Sequence, residues 1–91
     1  MVDPLRPRPH LERDVEREIR QALYTAGWLT EKTHGNLYMS GWPDLYCLHR
    51  LHGTRWVEAK RPRQGRLKPS QRELFFRWAR QGVGIWILTS P

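Results

Sequence analysis

Two short runs hold the residues best suited to chemistry, Gly41-Trp42-Pro43-Asp44 and Glu58-Ala59-Lys60. The segment between them reads as two strands and a tight turn, so a hairpin can carry Asp44 to Glu58. Residues two apart in a strand share a face, which points Glu58 and Lys60 one way and Val57 and Ala59 the other. Two adjacent carboxylates repel unless one keeps a proton or a cation neutralises them. Mg²⁺ or Mn²⁺ answers that need, because hard cations take oxygen ligands and commonly use one or two carboxylates plus water and phosphate. Such an ion polarises a phosphoryl oxygen and activates water. Lys60 would position or activate the attacking water, or neutralise charge developing on phosphorus. The pattern points to metal-dependent phosphodiester hydrolysis. An isolated Glu-x-Lys has no specificity, and the preceding Gly-x-Pro-Asp supplies it.

The elements that must hold these residues follow from periodicity. Leu11, Val15, Ile19, Ala22, Leu23 and Ala26 recur at helical spacing, predicting a helix from about His10 to Ala26 with Gly27 as its C-terminal cap. Trp28–His34 reads as a first strand and residues 35–43 as a loop. Asp44–Arg50 reads as a second strand, residues 51–54 as a turn and Arg55–Lys60 as a third strand. Pro69 opens a second helix, at a position that tolerates a missing N–H, running to about Gln81. Ile85–Thr89 is a final apolar strand. The order is α-β-β-β-α-β, and the crossover through the second helix makes the last two strands parallel. The fold class is α/β, a mixed central sheet flanked by helices. Residues 1–9, with prolines at 4, 7 and 9, form an extended arm ahead of one domain spanning 10–91.

Composition narrows the partner. The chain has 91 residues and a net charge of +7, from 16 Lys plus Arg against 9 Asp plus Glu. Most of the cations are arginines, whose forked guanidinium matches phosphate oxygens. Nucleic acid is the expected partner. No apolar run approaches the roughly 20 residues needed to cross a bilayer, so no membrane partner is expected. The single cysteine, Cys47, cannot form an internal disulfide and is expected in the core. With no signal peptide visible, an intracellular location is expected, in cytoplasm or nucleoid. His10, His34, His49 and His52 lack zinc-ligand spacing, and only His34 lies near the catalytic loop. No dinucleotide or P-loop fingerprint appears, so no small-molecule cofactor is expected.

Arg61, Arg63, Arg66 and Lys68 follow Lys60 in a basic loop and are candidates for gripping the phosphate backbone, a salt-dependent contact. Trp42 and Tyr38 lie in or near the loop before Asp44. They can stack on unpaired bases or pack against the domain. Gln71, at the start of the second helix, can bond a phosphate, a water or backbone near Lys60. Trp56, Trp78 and Trp86 lie in regular elements and are expected in the core or an interface.

Gly41-Trp42-Pro43-Asp44, Glu58-Ala59-Lys60 and Leu67-Lys68-Pro69-Ser70-Gln71 together resemble the virus-type replication-repair nuclease (VRR-NUC) domain of the PD-(D/E)XK superfamily, over about residues 11–90. The resemblance implies a restriction-endonuclease-like core, divalent-metal-dependent cleavage of DNA and a preference for branched structures such as Holliday junctions or flaps. It also implies a homodimer, as in stand-alone phage members of this size. By the same resemblance Asp44 and Glu58 are metal ligands, Lys60 is the catalytic lysine, and Gln71 matches the family's glutamine. The family adds an acidic residue from the first helix. Counting back from Gly27 favours Glu12, whereas comparison with archaeal Holliday-junction resolvases favours Glu16. The two lie four apart on one helix face, while Glu18 faces elsewhere. The alternative function is a nucleic-acid-binding module that keeps the fold without catalysis. The intact Asp44, Glu58 and Lys60 argue against it, since a basic binding module gains nothing from acids gathered beside a polyanion.

Overall fold

Apolar residues at helical spacing face a sheet whose strands alternate inward and outward side chains. The computed structural model describes residues 12–33, 41–62 and 66–89. The arm at 1–9, His10, His34 and Tyr38 lie outside the described residues. The elements are α1 (Glu12–Thr25), β1 (Leu29–Lys32), β2 (Leu45–His49), β3 (Gly53–Ala59), α2 (Pro69–Arg80) and β4 (Ile85–Leu88). They follow the expected order and form one four-stranded sheet, β1-β2-β3-β4. β1 pairs antiparallel with β2 and β2 with β3, while β3 and β4 run parallel, as the crossover requires. No helix among the described residues is long and apolar enough to cross a membrane.

The register sorts the side chains by face. Leu45 pairs with Val57 and Val57 with Trp86, and Ala59 pairs with Leu88. These residues point toward α1, where Val15, Ile19, Leu23, Trp28, Leu45, Cys47, Val57 and Ala59 form the buried core, with Trp86 and Leu88 packed against it. Burial raises the Cys47 thiol to a pKa of about 11, with Arg20 pulling the other way. The opposite face carries Tyr46, Trp56, Glu58, Ile85 and Ile87, and α2 lies over it. Trp42, Trp56 and Trp78 meet there edge to face, with ring centroids 5.0–5.7 Å apart. Aromatic pairs favour this arrangement because the positive edge of one ring meets the negative face of another. The tryptophans thus serve both faces of a sheet too small to be covered by aliphatic side chains alone.

α1 ends as the sequence predicts, and the bonds show why Gly27 is needed. Trp28 N–H donates to Leu23 O (2.8 Å) and Gly27 N–H to Tyr24 O (3.0 Å), with Gly27 at φ 93°. This pair of bonds satisfies the last carbonyls and requires a left-handed residue. The cap sends Trp28 into the core, so β1 begins at Leu29 and not at Trp28. The buried stripe of α1 is narrower than predicted: Val15, Ile19 and Leu23 are buried, but Ala22 and Ala26 are exposed. Only the sector facing the sheet is covered, and small residues beside it need no burial.

The hairpin turn is also tighter than predicted. β3 starts at Gly53, paired with His49, and only residues 50–52 form the loop. The reason is His49: its Nδ1 accepts the N–H groups of Leu51 (3.0 Å) and His52 (3.2 Å). Its Nε2 lies 3.3 Å from Ala26 O, tying the turn to the end of α1. His49→Ala is expected to destabilise the fold by about 1–2 kcal/mol, near the net worth of one or two hydrogen bonds. His49→Asn should recover part of that, because an Asn oxygen can accept the N–H two residues on. Urea midpoints for the three proteins check this; equal midpoints would show that water replaces the ring without loss.

Candidate active site

Asp44 enters the site because its backbone is fixed on both sides. Gly41, at φ 84°, takes a turn that only glycine adopts without strain, against Ser70 at the start of α2. Pro43 is fully buried, and its carbonyl accepts a bond from Thr33 Oγ1. Thr33 N–H donates to Asp44 O (3.0 Å). The Asp44 side chain then reaches across to β3, where Oδ2 accepts Ala59 N–H at 2.8 Å. Thr33 is therefore the brace of the loop that leads into Asp44. Nothing in the sequence singles it out, since threonine in a strand is ordinary.

Glu58 sits on the α2 face of β3 and is 1% exposed; Asp44 is 8% exposed. Gln71 Nε2 donates to Glu58 Oε2 at 2.8 Å. Gln71 Oε1 accepts Lys60 Nζ (3.2 Å) and Lys68 N–H (3.1 Å). Lys60 Nζ also lies 3.8 Å from Glu58 Oε2. Gln71 thus caps α2 and orients both the carboxylate and the ammonium. Its amide suits the task because it offers a donor on one side and an acceptor on the other.

The electrostatics follow from this packing. Glu58 Oε1 is buried and has no hydrogen-bond partner. Burial, a hydrogen bond with Asp44 and the Asp44 charge push the Glu58 pKa up to about 8, while Lys60 and Gln71 act in the opposite direction. Two carboxyls packed together in a dry place form a donor set that fits a hard divalent cation. Among the described residues, no group of three or more His, Cys, Asp and Glu side chains is gathered at one point. Asp44 and Glu58 would therefore share such an ion with other oxygen ligands.

The two acidic candidates in α1 differ in what can be said of them. Glu16 is held by Lys32, with Lys32 Nζ 3.2 Å from Glu16 Oε1, and it does not join Asp44 and Glu58 in a cluster of three. Glu12 opens α1, and its side chain lies outside the described residues. Arg61, Arg66 and Lys68 are exposed, and Arg63 lies outside the described residues. Lys60 and Arg61 line a cleft of about 270 Å³ with Leu88 and Thr89 at the ends of β3 and β4. Trp42 is half-buried and packed against Trp56 and Trp78.

No family model matches the sequence, and no curated protein matches it. A solved structure described as a VRR_NUC domain does match: it superposes with a TM-score of 0.75 at 24% identity, covering 87% of this chain and 84% of that one. The α-β-β-β-α-β chain with its mixed four-stranded sheet has the fold of a VRR_NUC domain.

Proposed function

We propose that this protein is a divalent-metal-dependent endonuclease that hydrolyses DNA phosphodiester bonds and selects branched structures. The carrying observation is the buried pair Asp44 and Glu58, with Lys60 and Gln71 bonded into the same cluster on a VRR_NUC-type fold. A protein that only bound a polyanion would have no use for two buried acids beside it. Asp44 and Glu58 are the residues that would hold Mg²⁺ or Mn²⁺. When bound, the ion supplies charge neutralisation at the scissile phosphate and activation of water. Lys60 presents its ammonium beside that phosphate and stabilises the charge that grows there. Gln71 holds Lys60 and Glu58 in place, which removes reorganisation from the reacting state. Arg61, Arg66 and Lys68 would grip flanking phosphates on the rim. The +7 charge supports nucleic acid as the partner and makes affinity fall with salt.

The test is cleavage of labelled Holliday junction, flap, splayed and plain duplex DNA with Mg²⁺ or Mn²⁺, beside Asp44→Asn. Asparagine keeps an acceptor for Ala59 N–H, so the fold survives while the charge is lost. Metal-dependent cutting that is fastest on a branched substrate and is lost in the variant supports the reading. Tight binding without cutting under either metal would overturn it in favour of a binding module.

A further inference from the structure

At the end of the sheet opposite Glu58 and Lys60, where β3 and β4 begin, lies a cleft of about 630 Å³. Its size suits a small organic group. Tyr46, Arg55 and Trp56 line it, and Gly53, Gly82 and Gly84 leave its backbone walls bare of side chains. Arg55 is fixed in place there. Its Nη1 donates to Thr54 O at 2.6 Å and to His52 O at 3.2 Å. Its guanidinium lies over the Trp86 ring, 5.4 Å from the centroid. Gly84 keeps that path open, since a Cβ there would come within 2.8 Å of Arg55 Cδ. Among the described residues Arg55 has no carboxylate partner, and its Nε and Nη2 make no hydrogen bond. The acids after residue 44 are Glu58 and Glu73, and neither lines the cleft. The Tyr46 and Trp56 rings stand beside it, with centroids 4.7 Å apart and planes tilted by 44°.

We propose that this cleft takes one unpaired nucleotide of a single-stranded arm, which rests on nucleic acid being the partner as argued above. The Nε–Nη2 edge of Arg55 is the fork that matches two phosphate oxygens, and it is the edge left open. The Tyr46 and Trp56 rings offer a wall on which a base can stack. The bare glycines let sugar and phosphate come close to the backbone. A guanidinium fixed in advance also loses less freedom on binding than the exposed cations of the basic loop. In a duplex each base face is covered by its neighbours, so the ring wall would have nothing to stack on. An acidic peptide would meet Arg55 and leave the rings uncovered. Along β3, Arg55 lies roughly 10 Å before Glu58. An arm held here therefore continues toward Asp44 and Glu58 of the same chain, and the cleft selects a branched substrate by its unpaired strand.

The experiment is an amide NMR titration of the full chain with an oligothymidylate of about eight nucleotides, in EDTA so that nothing is cut. The amides of Gly53, Gly82 and Gly84 are expected to shift, and a blunt hairpin duplex is expected to leave them in place. Arg55→Gln and Tyr46→Leu, each with unchanged circular dichroism, should weaken the oligothymidylate at least about fivefold, the low end for one stacked base. If neither variant folds, the wild-type shifts decide. Equal shifts with the duplex, or displacement of the strand by polyglutamate, would show that charge alone is read and overturn the proposal. A response to thymidine monophosphate with none to the oligothymidylate would also overturn it, making a free nucleotide the ligand. Shifts confined to Lys60, Arg61 and Lys68 would overturn the cleft and leave nucleic acid as the partner. A cleft that binds the strand in a protein that cuts nothing under Mg²⁺ or Mn²⁺ would keep this proposal and defeat the nuclease reading.

Discussion

Glu58→Gln is expected to unfold later than wild type at pH 8 in EDTA and to lose most of its cleavage. In wild type the Glu58 carboxyl is buried beside Asp44 with its pKa raised from 4.5 to about 8. A raised carboxyl pKa means that the folded state binds more protons than the unfolded state between those values, so stability falls as pH rises from about 4.5 through 8. As pH rises through 8 the fold comes to carry two buried charges in repulsion. Glutamine removes one charge while keeping an oxygen for Gln71 Nε2, and its amide can donate toward Asp44. Relief of at least about 1 kcal/mol would appear as a rise of roughly 4–8 °C in melting temperature for a domain of this size. Mn²⁺ should raise the wild-type melting temperature, most strongly above pH 7 where less proton must be displaced, and should leave the variant unmoved. Cleavage should fall by at least about 10²–10³-fold, the scale of losing one preorganised charge-stabilising group. Site residues held against stability for the sake of function behave this way. A variant less stable than wild type at every pH would show that Glu58 is instead a structural acid satisfied by its neighbours.

Much of this site was legible because strand geometry is strict. The period of two put Glu58 and Lys60 on one face and Val57 and Ala59 in the core, as the structure has them. Gly27 and Pro69 marked a helix end and a helix start because each satisfies a backbone condition that few residues meet. What the sequence hid were contacts between distant segments. Thr33 bracing Pro43, His49 capping its own turn and Glu16 held by Lys32 depend on register and rotamer, which no local pattern encodes. Gln71 fell between the two cases. Its place at the helix start was readable, but its double use, as a cap for Lys68 N–H and as a bridge between Glu58 and Lys60, needed the packing of α2 on the sheet.

Lys60→Met is expected to separate the lysine's two effects on the site. Its ammonium would stabilise charge at the scissile phosphate, so cleavage at saturating Mn²⁺ should fall by about 10²–10³-fold. It also holds down the Glu58 pKa, against burial and Asp44. Without it the Glu58 carboxyl keeps its proton to higher pH, so a cation must compete with that proton over a wider range. Mn²⁺ should therefore still raise the melting temperature of Lys60→Met, but the rise should begin at higher pH than in wild type. Glu58→Gln, by contrast, should lose the metal response at every pH. Residual cleavage should share the alkaline displacement, because a charge on Glu58 is needed before the ion can be held. The measurement is a grid of melting temperature and initial rate against pH, with Mn²⁺ or EDTA, for wild type and both variants. If Lys60→Met lost its rate with no movement of the pH profile, Lys60 would act on the phosphate alone, and its link to Glu58 through Gln71 would be packing without electrostatic consequence.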